Sequence, residues 1–566
     1  MNPILRYAIQ RSCTRRAIFA LCLVSLACDL APSNAQENDP YDSGGILIAE
    51  QAVYDVTHYD LELRIDPDER WIGGTMTMQA RMTSPANRIA LDLDPLLTVK
   101  DVSETVHGDK RSLDYEHTSG RIWITLGGTR QPGQIIQVAV SYEGNPRVAP
   151  NPPWDGGFSW SETADGFAWI ATSCQTIGAD VWWPVKDHVT DEPDSMSLHI
   201  TVPDPLVVAS NGRLQGVDDN GDSKTYHWFS SNPINVYNVA LNIAPYRTIE
   251  TDFQSVAGET FPVVFYVLPE DFEKGQELFP EILDHLKFYE EIVGPYPFRA
   301  DKYGVAQTPH LGMEHQTIIA YGANFDNGSM TGGVDFGYDA LHHHELAHEW
   351  WGNLVTNVDW SDMWLHEGFG SYMQPLYREY LAGPDAYHEQ MARARGGIRN
   401  QIALAPRGIR SSQQIYTGDI YTKGAWLLHT LRYLIGDDAL KTSIRRMAYP
   451  TPAMESATDG SQTRFASTDD YKAIAEDISG RDLDWFFEVY ARQPALPRLS
   501  WSVQGASMTL RWETPNSLPF PMPIDIEVDG STQRVEFDGS NSTTVTVPEG
   551  ASIVVDPLNW VLKDGT

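Results

Sequence analysis

Residues 338–352 read Tyr338-Asp-Ala-Leu-His-His-His-Glu-Leu-Ala-His-Glu-Trp-Trp-Gly352. The stretch predicts a helix that ends near Gly352-Asn353. Residues four apart share a helix face, so the imidazoles of His344 and His348 can address one ion. Glu345 lies one step round and can face a water on that ion. His342 and His343 point to other faces and read as packing or supporting residues. Two imidazoles do not complete a hydrolytic zinc site, which takes three protein ligands and leaves a position for water. The next segment, Trp360-Ser-Asp-Met-Trp-Leu-His-Glu-Gly-Phe-Gly370, opens a second helix. Ser361 or Asp362 is its expected cap, Pro375 an expected kink and Gly383-Pro384 its end. Eighteen residues separate His348 from Glu367, room for an antiparallel return. Glu367 is therefore the expected third ligand.

Around this centre the pattern falls into three parts. From about 45 to 248 the apolar residues recur every second position, as in Tyr59-Leu61-Leu63-Ile65, Met76-Met78-Ala80-Met82 and Ile136-Val138-Val140-Tyr142. Gly73-Gly74 and Pro132-Gly133 mark turns, and the whole predicts an antiparallel β domain. Residues 249–494 turn to helical spacing, as in Leu283, Leu286, Phe288 and Tyr289, with the Ser/Thr-rich 451–466 expected as a surface loop. Beyond Pro494 and Pro497, alternation returns in 495–566, which predicts a small β-sandwich. The fold class is multidomain α+β.

Composition narrows the function. Against 41 Lys and Arg stand 76 Asp and Glu, a formal net charge of −35. Such a surface repels phosphates, so nucleic acid and anionic lipid are poor partners. Residues 1–35 read as an export signal, with four arginines before the apolar run Ala17–Ala27 and a small-x-small exit at Ser33-Asn34-Ala35. Ser25-Leu-Ala-Cys28 is an imperfect lipoprotein box, which makes Cys28 a candidate lipid anchor. Cys13, Cys22, Cys28 and Cys174 are the four cysteines, so a chain trimmed of its signal has one thiol and no intrachain disulfide. The expectation is an exported protein, periplasmic or extracellular, with no membrane span and an oligomeric state that the sequence leaves open.

The chain resembles the aminopeptidase N and leukotriene hydrolase family of zinc peptidases. The resemblance rests on His344-Glu-Leu-Ala-His-Glu-Trp-Trp-Gly-Asn-Leu-Val355 and Trp364-Leu-His-Glu-Gly-Phe369, and by domain order it runs over roughly 50 to 560. It implies a β domain, a thermolysin-like mainly helical catalytic domain and a small β-sandwich. It implies one zinc per chain on His344, His348 and Glu367, with Glu345 as general base. The family grips the substrate's free amino terminus through a Gly-x-Met-Glu-Asn motif. Here Leu311-Gly312-Met313-Glu314-His315 matches in Met-Glu, with Leu and His at the ends. That makes Glu314 the amine carboxylate and Gly312 and Met313 its neighbours in substrate binding. Ser173-Cys174-Gln175-Thr176, before Trp182-Trp183-Pro184, matches the β-domain loop whose Gln assists. Asp191-Glu192-Pro193 falls near a family signature and reads as structural. Tyr421, before Thr422-Lys423-Gly424, matches the tyrosine that stabilises the oxyanion, and Tyr416 a second tyrosine five residues earlier.

The resulting expectation is a metalloaminopeptidase acting on peptides with a free amino terminus. A thermolysin-like endopeptidase, an epoxide-hydrolase side activity and a catalytically silent peptide-binding relative stay open at this point. Many relatives continue into a large helical domain over the active site; this sequence ends at Thr566, from which a more open cleft and tolerance of longer peptides are expected.

Overall fold

The structure, a computed structural model, describes residues 41–565. The expected export signal and Cys28 lie outside the described residues. The chain is α+β, with several sheets followed by a helical region and a second β region.

An eight-stranded sheet dominates the N-terminal part. In Tyr54–Asp66 the buried side chains are first Tyr54 and Val56, then Tyr59, Leu61, Leu63 and Ile65, with a register shift between Val56 and His58. The bulge absorbs one residue, so two out-of-phase halves of the apolar pattern share a face. Met76 and Met78 sit opposite Leu61 and Tyr59 on one side and Val140 and Val138 on the other. One pairing departs from the antiparallel expectation: Tyr54–Asp66 runs parallel to Ser195–Pro203. The long connection between them allows the crossover that a parallel pair requires.

A five-stranded sheet opens the catalytic part, in the order Arg247–Gln254, Thr260–Val267, Tyr303–Gln307, Ile319–Tyr321, Gly312–Met313. Its edge, Gly312–Met313, pairs antiparallel with Ile319–Tyr321. Among the helices of this part, those that bear on the site are α1 (Phe272–Ile292), inserted between strands of that sheet, α2 (Ala340–Ala347), α3 (Trp364–Ala382), α4 (Pro384–Ala394) and α5 (Asp419–Ile435). No helix among the described residues is long and apolar enough to cross a membrane.

Three expectations are corrected here. Regular α2 stops at Ala347, not near Gly352. The chain goes on through i→i−3 bonds at Glu349 and Trp350 and i→i−5 bonds at Asn353, Leu354 and Val355. The widening turns the chain through Gly352, at φ +136°, into the strand Val355–Asn357. Second, neither Ser361 nor Asp362 caps the approach to α3. Asp359 does, accepting from Ser361 N at 2.9 Å, while Asp362 accepts from the Thr468 hydroxyl at 2.6 Å. Third, 451–466 is not all surface. Gln462 is fully buried, donating to Asn232 and to the Pro297 carbonyl, and Arg464–Ala466 pairs with Val355–Asn357. The C-terminal β region is two three-stranded sheets, with Met508, Leu510 and Trp512 buried.

Helix α3 crosses α5 glycine on glycine. A Cβ on Gly368 would lie 2.9 Å from Gly424 Cα, and one on Gly424 2.7 Å from Gly368 Cα. The backbones touch with no side chain between them, beside Glu367 and one turn from Tyr421. Gly424→Ala should therefore force the helices apart and destabilise the protein by about 1–3 kcal/mol, read as a lower urea midpoint. An unchanged midpoint would show that the crossing has room to spare.

Candidate metal centre

Helix α2 begins at Asp339, whose side chain accepts from His342 N at 2.9 Å. His344 and His348 then fall on one face, with their Nε2 atoms 3.2 Å apart. Nδ1 of His348 is 3.0 Å from the Trp351 carbonyl. A carbonyl only accepts, so the proton sits on Nδ1 and the Nε2 lone pair is free for a cation. Across the cleft, α3 sets Glu367 Oε2 at 3.4 Å from His344 Nε2 and 3.5 Å from His348 Nε2. These three atoms form a nearly equilateral triangle. Tetrahedral coordination at zinc–nitrogen and zinc–oxygen distances has edges of about 3.3 Å. Oε2 of Glu367 is buried with no hydrogen-bond partner among the described residues. A divalent cation fits this donor set, and among the described residues it is the one fully buried group of His, Cys, Asp or Glu side chains able to hold a metal.

Electrostatics treat the two rings differently: burial lowers the pKa of His344, but the neighbouring Glu367 and Glu345 outweigh it and raise it. Burial works against charge on Glu367, but His348 and His344 outweigh it and hold the carboxyl low. Burial pushes His348 down to about 4, so it offers a neutral ring as a ligand must. Gly370 makes the approach of α3 to α2 feasible, since a Cβ there would lie 3.2 Å from His344 Cε1.

Glu345 faces the same cleft. Its Oε1 lies against the edge strand, 2.4 Å from where a Cβ on Gly312 would sit. Gly312 thus clears space for the carboxylate. Burial, only partly offset by His344, pushes the Glu345 carboxyl up to about 8. A group in that range accepts and returns a proton near neutral pH.

Glu314 follows the edge strand and is buried. It accepts from the Tyr237 hydroxyl at 2.5 Å and from Gln175 Nε2 at 2.9 Å, and the same Nε2 donates to Glu367 Oε1 at 2.9 Å. One amide therefore bridges the expected ligand and the expected amine grip. No Lys or Arg pairs with Glu314 among the described residues; its nearest basic side chains are His348 at 3.4 Å and His366 at 3.8 Å, rings that burial pushes down to about 4 and about 3. Burial and the nearby Glu367 push its carboxyl well above the usual range. Met313 lines the cavity beside it. The Tyr421 hydroxyl is 2.7 Å from that of Tyr416, and its ring stacks on His344 with centroids 5.9 Å apart. All ten candidate residues line one cavity of about 340 Å³, which Pro153 and Trp154 also line.

Several supports had no sequence signal. Tyr237 comes from a short turn in the β domain, capped by Asn235. Asn353 donates to the Glu314 carbonyl and receives Asn238, while Glu349 takes Asn353, Thr317 N and the Tyr296 hydroxyl. Glu349 and Asn353 stand within the opening motif, and four-residue spacing could have paired them. His342 and His343 are fully buried on other faces; His342 bridges His285 and Tyr303, each at 2.8 Å, and His343 stacks on Tyr377. Asp191 pairs with Lys186 and Glu192 accepts from Thr356. His315 is buried, and neither ring nitrogen has a hydrogen-bond partner among the described residues.

Comparison with known proteins follows the same lines. Residues 282–486 match the Peptidase family M1 domain, and 56–237 match the Peptidase M1 N-terminal domain. The chain belongs to peptidase family M1. Among similar M1 relatives, Aminopeptidase M1-C of Oryza sativa subsp. japonica is 24% identical over 340 residues, 56% of this chain and 37% of that protein. Leucyl aminopeptidase of Saccharolobus solfataricus is 22% identical over 412 residues, 69% of this chain and 50% of that one. The chain thus spans half or less of the length of these curated relatives. The crystal structure of the M1 zinc metallopeptidase from Deinococcus radiodurans shares the fold, with a TM-score of 0.64, 22% identity, and coverage of 81% of this chain and 98% of that one.

Because Gln175 fixes one oxygen of Glu367, Gln175→Ala should weaken divalent-cation binding by about 10–100-fold, measured by competition with a chromogenic chelator. Unchanged affinity would mean that the triangle holds without the bridge.

Proposed function

We propose that this M1 chain is a zinc metalloaminopeptidase that removes the first residue of peptides with a free amino terminus and carries one zinc per chain. The observation that carries the reading is Glu314: a buried carboxylate, without a fixed Lys or Arg partner among the described residues, tied by Gln175 to the cation triangle. A buried carboxylate needs a positive partner. A substrate ammonium supplies one, and an endopeptidase has no use for it. The names of the aminopeptidase relatives support the same reading.

Zinc on His344, His348 and Glu367 would supply a Lewis acid for the scissile carbonyl and lower the pKa of water toward about 7. The chain's own groups do the rest. Glu314 holds the ammonium through charge. The Gln175 nitrogen is occupied by the two carboxylates, which leaves its Oε1 to accept from the amine. With the amine fixed, the first carbonyl falls at the triangle, so binding itself selects the bond. Glu345 takes a proton from the attacking water and gives it to the leaving nitrogen. Tyr421 donates to the oxyanion as charge develops there, and Tyr416 orients that hydroxyl. We also read the chain as exported, trimmed after Ala35 or lipidated at Cys28; the mass of the mature amino-terminal peptide separates these forms.

Glu345→Gln should retain zinc and lose at least about 100-fold in kcat, measured with an aminoacyl chromogenic amide and metal analysis on the same sample. Full turnover in that variant would end the mechanism. Acetylating the substrate amine should abolish hydrolysis, and equal rates on blocked peptides would make the protein an endopeptidase.

A further inference from the structure

The alternation that buries one face of the eight-stranded sheet turns a row of polar residues to the other. In Ser195–Pro203, Met196, Leu198 and Ile200 are buried, which leaves Ser197 and His199 facing out. In Ser223–Ser230, Tyr226 and Trp228 are buried and His227 faces out. The two strands pair antiparallel with His199 directly opposite His227. Their Nδ1 atoms lie 2.6 Å apart. We propose that this cross-strand pair is a second metal site, for a divalent ion of tetragonal preference, with copper(II) the best fit.

The groups behind the rings set their tautomers. His199 Nε2 lies 3.4 Å from Asp60 Oδ1, and His227 Nε2 lies 3.1 Å from Asp218 Oδ2. An ionised carboxylate only accepts, so each Nε2 carries the hydrogen. Both Nδ1 lone pairs then face each other, and they repel unless a cation lies between them. A carboxylate behind an imidazole is also what fixes that ring as a metal ligand and raises its basicity. Neither Asp60 nor Asp218 has a Lys or Arg partner among the described residues; each pairs with its histidine. A shared proton would balance one of these two carboxylates, and a divalent ion balances both. Glu62 stands opposite His199 in register on the neighbouring strand and adds further negative charge. His58 shares this face, but its Nδ1 lies 2.9 Å from the Ser195 hydroxyl and its Nε2 3.4 Å from that of Ser197, so it is not counted as a ligand.

The spacing selects the ion. Two nitrogens on one metal stand about 3.3 Å apart at a tetrahedral angle and about 2.9 Å apart at a right angle. The observed separation is nearer the second. The His199 and His227 side chains are 31% and 28% exposed, so the rings have room to open by the remaining few tenths of an ångström. Copper(II) takes the right-angled arrangement and stands above zinc in affinity for nitrogen donors. Water would fill its other positions. None of these residues lines the cavity of the His344, His348 and Glu367 triangle, so the site stands apart from the aminopeptidase reading.

The test uses the untagged, zinc-loaded protein, dialysed against Cu2+ and followed by metal analysis and electron paramagnetic resonance. One further copper per chain should bind with the zinc retained, and its spectrum should be tetragonal with splitting from two nitrogens. Zn2+ should compete for that place at least about tenfold more weakly than Cu2+ binds. His199→Asn and His227→Asn should each weaken copper binding at least about tenfold, and Asp218→Asn about tenfold. His107→Asn, on an exposed turn of the same domain, should leave it unchanged. No copper beyond the zinc, copper that enters only as zinc leaves, or affinity undiminished in the folded His199 and His227 variants would each overturn the site. Zinc held there as tightly as copper would overturn the tetragonal assignment.

Discussion

Two buried carboxylates a few ångströms apart repel, and the site depends on the amide that stands between them. Gln175 Nε2 gives one hydrogen to Glu314 and one to Glu367, each at 2.9 Å. That arrangement sets the spacing between the place for an ammonium and the place for a cation. On the proposed reading, a peptide's first carbonyl lies a fixed distance from its amine, so this spacing would decide which bond sits at the triangle. The bridge also leaves Oε2 of Glu367 unencumbered and turned toward the two imidazoles.

The bridge belongs to the β domain, which is therefore part of the site. Gln175 leaves the strand Ala168–Ser173, just before the buried pair Trp182 and Trp183, and Tyr59 packs edge-on against Trp183. The same domain sends Tyr237 to Glu314, Asn238 to Asn353 and Glu192 to Thr356. Helices α2 and α3 alone can assemble a cation site. On the aminopeptidase reading proposed above, selectivity for a free amine draws on the sheet domain as well.

How much of this was legible depends on spacing. His344 and His348 could be read because helix geometry is strict, and Glu367 because a capped aromatic helix followed at a suitable distance. Period-two alternation gave the β domain, apart from the bulge near His58, where the pattern merely changes phase. Glu314, Gln175 and Tyr421 carried no periodicity and became visible only through resemblance. Tyr237 was invisible: a tyrosine in an irregular turn has no spacing to betray it. The end of α2 was misread because helix propensity continues through Trp350 and Trp351, whereas tertiary bonds to Glu349 and Asn353 reshape the turn. Gln462 was misread because a Ser/Thr-rich run looks exposed, yet its amide is spoken for inside.

The glycine crossing of α3 and α5 has a mechanical consequence. Side chains between helices act as springs, because they can change rotamer and absorb a shift. Gly368 and Gly424 put no spring between Glu367 and Tyr421. A displacement of one backbone at this crossing therefore presses directly on the other, which couples the positions of the two helices.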